Sequence, residues 1–322
     1  MKRILSALTA AVVCVIALSA EAQDALRVAK AQPQAFSFVP FNVGQEQGIF
    51  AKHGLTKFEE VTVGGSAKLQ QALVANSIDI GLGSGPELAF IAKGSTARGI
   101  AAMAGPPLNL SLVVQRDSRI RRIADLEGKS VAISTAGGLT DWLARELSRQ
   151  QGWGPDGIKT VGLGATTAMV AAMKTGQTDG IVTDTGTAIN LESQKVGRTL
   201  LDFGDIIRDF HVHVIYASAN AMDKRPDQVR RFLAGWFETI AFMRANKAKV
   251  IPIASRIMNT PDDESARIYD KVMPMFSSDG KFEPKALAVL AKSFVELGTL
   301  DSAPDMSKTY TEKFLPAQSQ TH

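Results

Sequence analysis

The sequence of 322 residues predicts an α/β protein of two lobes, and three observations support this prediction. Strand and helix patterns alternate, which is typical of a mainly parallel sheet flanked by helices. The alternation is interrupted by a basic connector at residues 115–123, QRDSRIRRI, and begins again at Lys129. Residues 64–79, GGSAKLQQALVANSID, nearly recur at residues 164–179, GATTAMVAAMKTGQTD. The two copies are 100 residues apart. This distance is far too long for stacked repeats, so the recurrence indicates one strand–turn–helix–strand unit in each lobe.

Turn and cap residues delimit the elements of the first half. Gly54 is placed as a helix stop after Lys52, while Pro86 lies in the first turn of a later helix and Gly94 ends that helix. Strands are therefore predicted at residues 25–30, 57–63, 77–83, 97–105 and 108–115, and helices at residues 39–53, 67–75 and 85–93.

The second half follows the same order after the connector. Strands are predicted at residues 129–134, 158–164, 178–184, 198–205 and 211–218, and helices at residues 139–151, 166–176 and from about 185 onward. After Asp223 the pattern is helical to the end, most clearly at residues 226–246. We expect residues 23–112 and 217–322 to form lobe 1 and residues 113–216 to form lobe 2, with a ligand cleft between them.

Residues 1–22 are typical of a cleaved export signal. Lys2 and Arg3 precede an apolar run at residues 4–18, and the small-x-small sequence AEA places cleavage before Gln23. A membrane anchor is the alternative, but the run is shorter than the roughly 20 residues that a spanning helix needs.

The only cysteine, Cys14, lies inside this apolar run. Val12 and Val13 do not fit the small residues that precede a lipid-modified cysteine. We therefore expect a soluble periplasmic protein without a lipid anchor. Cleavage leaves a chain without thiols, which excludes disulfides and cysteine-based metal sites.

The charge of the chain gives no indication of a nucleic acid partner. Cleavage removes Lys2, Arg3 and Glu21, which lowers the formal net charge from +4 to +3. The basic connector at residues 115–123 has no interleaved aromatic residues that would stack on bases. We interpret it as a solvated connector.

Small polar turns open four of the predicted helices and form the candidate binding site. Ligands bind beyond the carboxyl ends of strands in open α/β sheets, where helix N-termini offer unpaired N–H donors and partial positive charge. Such turns also serve simply as helix caps, and their recurrence in both lobes favours binding. From these turns we predict ligand contacts from Gly65, Ser66, Gly83, Ser84, Gly85, Ser134, Thr135, Gly137, Gly138 and Thr166.

Aromatic and acidic residues near the same turns extend the candidate site. Phe41 flanks the first turn and Trp142 begins a cleft-side helix, although a core role is an equal alternative for each. Glu87, Asp141 and Asp184 lie near helix N-termini, where a carboxylate complements the helix dipole or binds an amine of a zwitterionic ligand. We include Phe41, Trp142 and Asp184 among the predicted ligand contacts.

Two histidines and two aspartates each leave alternatives open. His211 and His213 are predicted on one face of a strand, where a metal ion is one interpretation. No third ligand of obvious spacing accompanies them, so we favour polar lining of the cleft and include His211 in the site. Asp79 and Asp179 are interpreted as turn or strand-start residues, with an acid pair across the two lobes as the alternative.

Motifs of the common enzyme classes are absent from the sequence. Ser84 is preceded two residues earlier by Leu82 rather than by the glycine of a nucleophile elbow. Gly81 and Gly83 are followed by Pro86, which breaks the dinucleotide-binding pattern, and there is no phosphate-binding loop. We predict a protein without catalytic residues, metal or cofactor.

Four segments carry a family resemblance: GQEQGIFAKHGL, LVANSIDIGLGS, IADLEGKSVAIS and MKTGQTDGIVTD. They resemble the periplasmic substrate-binding proteins of ABC importers, in the group for nitrate, sulfonates, taurine and thiamine-precursor pyrimidines. The most specific match is the motif from Asp125 to Lys129, DLEGK, and the likeness spans about residues 26–217.

The resemblance implies the type II periplasmic-binding-protein fold and a monomer that is not an enzyme. Its lobes would close on a small anionic or zwitterionic, sulfonate-like solute and deliver it to a membrane permease with its ATPase. By position, the family's ligand contacts match Ser66, Ser84, Thr135 and Thr166. The chain departs from the family at residues 184–186, DTG, where many members have an acid followed by Pro or Trp.

Two other functions share this fold. The eukaryotic pyrimidine synthases resemble this fold, but they depend on a cysteine-rich motif and histidine chemistry, and the chain expected after cleavage has no cysteine. A sensory module that presents its ligand state to a membrane receptor is the other alternative.

Overall fold

The computed structural model describes residues 25–63 and 65–317 of the chain. The predicted export signal at residues 1–22 lies outside the described residues, as does Gly64. Among the described residues, no helix combines the length and the apolar character needed to cross a membrane.

The first sheet has five strands in the order β2-β1-β3-β10-β4. They are β1 (Leu26–Lys30), β2 (Phe58–Thr62), β3 (Ile80–Ser84), β4 (Arg98–Ala104) and β10 (His213–Ala217). Strands β1, β2 and β3 pair in parallel, while β10 pairs antiparallel with both β3 and β4. Four strands thus run in one direction, with one reversed strand inserted between them.

The second sheet repeats this architecture in the order β7-β6-β8-β5-β9. Its strands are β5 (Leu110–Gln115), β6 (Ser130–Ile133), β7 (Lys159–Gly162), β8 (Gly180–Asp184) and β9 (Gly197–Asp202). Here β5 is the reversed strand, paired antiparallel with β8 and β9. Both sheets are therefore mixed, and the expectation of mainly parallel sheets holds for four of the five strands in each.

Helices cover both sheets. Those within the two halves are α1 (Val39–Glu46), α2 (Ile49–Lys52), α3 (Ser66–Val74), α4 (Leu88–Ala92), α5 (Leu139–Gln150), α6 (Thr166–Thr175), α7 (Thr185–Ser193) and α8 (Phe203–Ile206). The C-terminal helices are α9 (Ala219–Lys224), α10 (Pro226–Ala245), α11 (Lys247–Met258), α12 (Asp262–Val272) and α13 (Pro284–Glu296).

The near-repeat of the sequence forms the same unit twice. Helix α3 leads into β3, and α6 leads into β8 at the equivalent positions. The aspartate before each strand holds the start of the neighbouring central strand. The carboxylate of Asp79 accepts the backbone N–H of Arg27 at 2.9 Å, and that of Asp179 accepts the backbone N–H of Ser130 at 2.8 Å. The two aspartates therefore have strand-start roles, and neither lines the cleft described below.

The chain crosses between the lobes twice, and each crossing leads into the reversed strand. β4 of the first sheet is followed by β5 of the second, and β9 of the second sheet is followed by β10 of the first. The strand expected at residues 211–218 in lobe 2 thus pairs in the first sheet. We accordingly propose lobe boundaries near residues 109 and 212 rather than 112 and 216, because the sheet a crossing strand joins depends on long-range pairing.

The C-terminal helices make polar contacts with the second lobe. Arg267 of α12 pairs with Glu192 of α7 at 3.0 Å, and Lys271 of α12 pairs with Asp202 of β9 at 2.7 Å. Glu296 of α13 accepts hydrogen bonds from the indole Nε1 of Trp142 and from Arg149, both at 2.9 Å and both from α5. The C-terminal helices therefore contact the second lobe as well as covering the first.

Candidate functional site

A cleft between the two lobes contains two adjoining chambers that share Gln32, Asn109 and Leu110 in their walls. We name them by their side chains. The hydroxyl chamber, of about 540 Å³, is lined by the hydroxyl residues Ser66, Ser84, Ser134, Thr135, Thr140 and Thr299. The acidic chamber, of about 800 Å³, is lined by Asp184 and Glu264.

The hydroxyl chamber brings together residues from turns of both lobes, as the strand–helix pattern predicts. Of the predicted contacts, it is lined by Gly65, Ser66, Ser84, Ser134, Thr135, Gly137 and Gly138. Ser66 and Ser84 come from the first lobe, whereas Ser134 and Thr135 follow β6 in the second lobe. A solute in this chamber would contact both lobes at once.

Two helices begin at this chamber without a side-chain cap. Neither Gly65, before α3, nor Gly138, before α5, has a side chain to accept a hydrogen bond from the first turn. Gly65 adopts a φ of +93°, a backbone conformation that residues other than glycine rarely adopt. The first backbone N–H groups of α3 and α5 are therefore available to an acceptor in the chamber, and the helix dipoles favour an anionic one.

A buried carboxylate positions the serines of the first lobe. Glu87 is 1% exposed, and its carboxylate accepts hydrogen bonds from the N–H of Ser84 at 2.8 Å and the hydroxyl of Ser84 at 3.1 Å. It also accepts a bond from Gln70 Nε2 at 2.9 Å and one from the Ser66 hydroxyl. Burial raises the pKa of Glu87 above its usual value, although these hydrogen bonds oppose the shift.

Two predicted glycine contacts act by making room rather than by lining the chamber. A Cβ at Gly83 would lie 2.7 Å from both carboxylate oxygens of Glu87. A Cβ at Gly85 would lie 1.8 Å from the backbone oxygen of His211. Both glycines thus support the turn after β3, and neither lines either chamber.

His213, rather than the predicted His211, lines the hydroxyl chamber. Its Nδ1 lies 3.2 Å from the carbonyl oxygen of Gly83, and its Nε2 lies 3.0 Å from Nδ2 of Asn109. Burial lowers the pKa of His213 to about 4, so the ring is neutral near pH 7. Nδ1 therefore carries the proton and donates to Gly83, and Nε2 accepts from Asn109.

His211 has a structural role. Its Nε2 accepts the backbone N–H of Glu283 at 2.9 Å, and its ring packs edge-on against Phe282 at 5.4 Å. It precedes β10 and does not share the environment of His213. The described residues contain no group of three or more His, Cys, Asp or Glu side chains that would hold a metal ion.

Two predicted aromatic contacts belong to the core instead. Phe41 is fully buried and packs against the rings of Phe50, Phe58 and Phe232. Trp142 is 2% exposed and stacks on Phe210 at 5.0 Å. The apolar pattern did not reveal which face of each helix is turned inward. Phe38, Phe90 and Phe294 line the hydroxyl chamber in their place.

The remaining predicted residues lie elsewhere. Thr166, at the start of α6, is exposed and lines neither chamber. Asp184 lines the acidic chamber, where its carboxylate caps α7 by accepting the N–H of Thr187 at 2.9 Å. The carboxylate of Asp141 accepts a hydrogen bond from the backbone N–H of Gly137 at 2.8 Å, which stabilises the loop between β6 and α5 that lines the hydroxyl chamber.

Comparison with known proteins gives three findings. Residues 35–249 match the sequence model of the family described as NMT1/THI5 like. No curated protein sequence matches the chain. Several solved structures share its fold.

The periplasmic aliphatic sulphonate binding protein SsuA from Escherichia coli has a TM-score of 0.76 and 21% identity, over 93% of this chain and 94% of that one. The alkanesulfonate-binding protein SsuA from Xanthomonas axonopodis pv. citri, bound to MOPS, has a TM-score of 0.73 and 17% identity, over 89% and 98%. The nitrate-binding protein NrtA from Synechocystis PCC 6803 has a TM-score of 0.69 and 18% identity, over 90% and 86%.

These likenesses confirm the predicted two-lobed fold of periplasmic binding proteins. The family match covers about two thirds of the sequence, including both turns that open onto the hydroxyl chamber from β3 and β6. The chain therefore belongs to the NMT1/THI5-like family.

Proposed function

We propose that the chain is the extracytoplasmic solute-binding component of an ABC import system, and that it binds a small organic anion in the hydroxyl chamber. The observation that carries this proposal is the pair of uncapped helix N-termini, α3 from the first lobe and α5 from the second, at one cavity. Unpaired N–H groups and helix dipoles from two sides are a general means of binding an anion without an ion pair.

The charges of the chamber agree with this mode of binding. Among the described residues that line it, the charged side chains are Glu87 and Lys93. Glu87 is engaged by three donor residues, and Lys93 lies exposed on α4's C-terminal side. Because the hydroxyls of Ser66 and Ser84 donate to Glu87, recognition would rest on the backbone N–H groups of both lobes and on the hydroxyl of Thr135, with His213 contributing a neutral ring.

The size and walls of the chamber favour an organic solute over a bare inorganic anion. Its volume of about 540 Å³ lies within the usual range for small-molecule sites. The rings of Phe38, Phe90 and Phe294 supply apolar surface beside the donors. A sulfonate or carboxylate with a hydrocarbon or aromatic body satisfies both halves of this lining, which is consistent with the sulfonates that the SsuA structures are described as binding.

The mechanism follows from the division of donors between the lobes. The free backbone N–H of Ser66 belongs to the first lobe, and the hydroxyl of Thr135 belongs to the second. An anion that accepts hydrogen bonds from both lobes stabilises the arrangement in which they are close, so solute binding would shift the population toward the closed form. We propose that a periplasmic monomer, released from its export signal, presents this closed form to a permease and its ATPase.

The test is a binding screen with two matched variants. The chain from Gln23 onward is titrated calorimetrically with alkyl and aryl sulfonates, aromatic carboxylates and nitrate. At least one organic acid should bind. Thr135→Trp should abolish this binding by filling the chamber, whereas Thr166→Trp should retain it, because Thr166 is also an exposed threonine but lies outside the chamber.

Either of two results would overturn the proposal. The first is that no acid binds to the parent protein, and the second is that Thr135→Trp binds as tightly as the parent. Circular dichroism of both variants checks that the fold is unchanged.

A further inference from the structure

The turn after β3 buries a carboxylate that is not paired with a cation. Glu87 is 1% exposed, and its hydrogen-bond partners in the described part of the chain are Ser66, Gln70 and Ser84, which are all neutral. A buried carboxylate without an ion pair is costly to keep ionised. Burial raises the pKa of Glu87 for this reason, against the effect of its hydrogen bonds. Near neutral pH, the surroundings of Glu87 therefore decide whether it is ionised.

Gln70 can bond to Glu87 in either ionisation state. Its Nε2 donates to Oε2 of Glu87 at 2.9 Å, whereas its own Oε1 is buried and has no partner. A half-turn of the amide exchanges these two atoms and places Oε1 beside Oε2 of Glu87. The amide N–H thus serves the carboxylate, and the amide oxygen accepts the O–H of the carboxylic acid. A proton on Oε2 of Glu87 would therefore find an acceptor in the protein.

Ser66 and Ser84 connect Glu87 to the hydroxyl chamber. Both serines are half-buried and line the chamber, and both hydroxyls donate to Glu87. Ser66 is also the first residue of α3, so its backbone N–H is one of the unpaired donors proposed to hold the anion. An anion at this helix start is separated from the buried carboxylate by one serine residue. Like charges at such short range disfavour ionisation, so the solute would raise the pKa of Glu87 further.

The other ionisable groups around this turn are neutral, exposed or paired. On and before β10, burial lowers the pKa values of His211 and His213 to about 4 and raises the pKa of Tyr216, so all three are neutral near pH 7. Across the chamber, Asp141 of α5 is paired with Arg145 at 2.9 Å. The helices packed on the turn carry the exposed Lys68, Lys93, Lys285 and Lys292, and Glu296, which bonds Trp142 and Arg149. Glu87 is therefore the group whose ionisation a bound anion would change.

We propose that the hydroxyl chamber takes up one proton with each solute anion, and that Glu87 is the residue that binds the proton. The inference rests on the function proposed above and adds a second ligand to it. The proton comes from solvent and is bound at Oε2 of Glu87, where Gln70 accepts its hydrogen bond. Loss of the carboxylate charge frees the hydroxyls of Ser66 and Ser84 to donate to the anion, because bonds to an ionised group are roughly twice as strong as neutral ones. With a monovalent anion, the buried charge around Ser66 is then the same before and after binding.

Proton uptake fixes the direction of the pH dependence. Because the anion raises the pKa of Glu87, affinity is highest at a pH where Glu87 is already protonated in the free protein. The affinity falls as pH rises through the pKa of the free protein, by at most about tenfold per pH unit, and becomes constant above the pKa of the complex. Between these two pKa values, each binding event takes up as much as one proton.

Calorimetry in buffers of different ionisation enthalpy counts the protons. The probes are propanesulfonate, benzenesulfonate, benzoate and the tightest acid of the binding screen, titrated from about pH 6 to about pH 9, where such acids stay ionised. For each acid that binds, the heat should depend on the buffer with the sign of proton uptake. The dissociation constant should rise by about tenfold or more across this range. Glu87→Gln should bind with neither effect, because glutamine has no charge to lose.

Asp184→Asn is the matched control. Asp184 is an acid of the acidic chamber, and asparagine is as good a helix cap as aspartate, so this variant should keep the proton uptake of the parent. If Glu87→Gln does not fold, infrared difference spectra of the parent replace it, and binding should produce the C=O band of a carboxylic acid.

The outcomes separate this inference from the proposed function. Binding without proton uptake at any pH in the range, uptake by Glu87→Gln equal to that of the parent, or binding without the carboxylic acid band overturns the inference, while the proposed function still stands. If no acid of the screen binds at all, the proposed function itself fails, and the inference fails with it.

Discussion

The contact of Glu296 with the second lobe gives a quantitative prediction for lobe closure. Its carboxylate accepts the indole N–H of Trp142 and a guanidinium N–H of Arg149, both at 2.9 Å across the lobe boundary. The side chains of Glu296 and Arg149 are 18% and 21% exposed, so solvent screens the pair only in part. Glu296→Ala removes both bonds while leaving the rest of α13 in place.

The magnitude follows from the type of bond that is lost. A hydrogen bond to a charged group is worth about 1.5–3 kcal/mol, and partial exposure places this contact near the lower end. A loss of about 1.5 kcal/mol from the arrangement with the lobes in contact shifts the equilibrium constant between the closed and open arrangements by about tenfold. The apparent affinity for the solute should fall by up to the same factor, and by the full factor when the closed arrangement is the minor population of the solute-free protein.

The assay measures the distance between the lobes directly. The chain from Gln23 onward has no cysteine, so spin labels on Gln71→Cys in α3 and Lys174→Cys in α6 report only that distance. Glu296→Ala should shift the distribution to longer values. Lys292→Ala is the matched control, since Lys292 pairs with Glu296 within α13 and does not bridge the lobes. If Glu296→Ala gives the distribution and affinity of the control, the contact does not stabilise closure.

Two further predictions concern buried carboxylates. Asp79→Asn should lower the free energy of unfolding by about 2 kcal/mol and Asp179→Asn by about half of that, because Asp79 is bonded by the side chains of Arg27 and Arg225, whereas Asp179 is bonded by Ser130. Burial raises the pKa of Asp79, but the hydrogen bonds from Arg27 and the hydrogen bond and charge of Arg225 together hold it below its usual value. The stabilisation by the Asp79 carboxylate is therefore complete above the unfolded pKa of about 4 and is lost as pH falls through the lower folded pKa. In urea unfolding, the free energies of unfolding of the parent and Asp79→Asn should converge in acid. A difference between them that stays constant with pH would contradict this prediction. Burial instead raises the pKa of Glu87, so its contribution is present below the unfolded pKa and lost as pH rises through the folded value. The stability of Glu87→Gln relative to the parent should accordingly increase as pH rises from acid to 8. The unpaired Oε1 of Gln70 can accept a hydrogen bond from the new amide. A difference in thermal midpoint between the two proteins that is independent of pH would contradict the prediction.

The repeating architecture was accessible from the sequence because it depends on local patterns. The match of residues 64–79 with 164–179 predicts two equivalent helix–strand units, and the structure forms them as α3–β3 and α6–β8. Small polar turns after strands also predict which loops face the cleft, and Ser84 and Thr135 line it.

What the sequence did not predict depends on contacts between distant segments. The choice of His211 over His213 failed because the start of β10 decides which histidine faces the cleft, and that register is set by pairing with β3. Phe41 and Trp142 are large apolar residues near the turns, but their helices turn them inward. Glu264 lies far along the chain, on a helix whose only sequence signal was a polar, acid-rich first turn.

The central claim is that an organic acid binds between the first turns of α3 and α5. The most direct measurement follows the backbone amide resonances of the isotope-labelled chain from Gln23 onward by NMR during titration with the acid that binds most tightly in the screen. The amides of residues 66–68 in α3 and 139–141 in α5 should shift together with one dissociation constant. Tight binding that shifts the amides of only one of these turns, or neither, would contradict the claim.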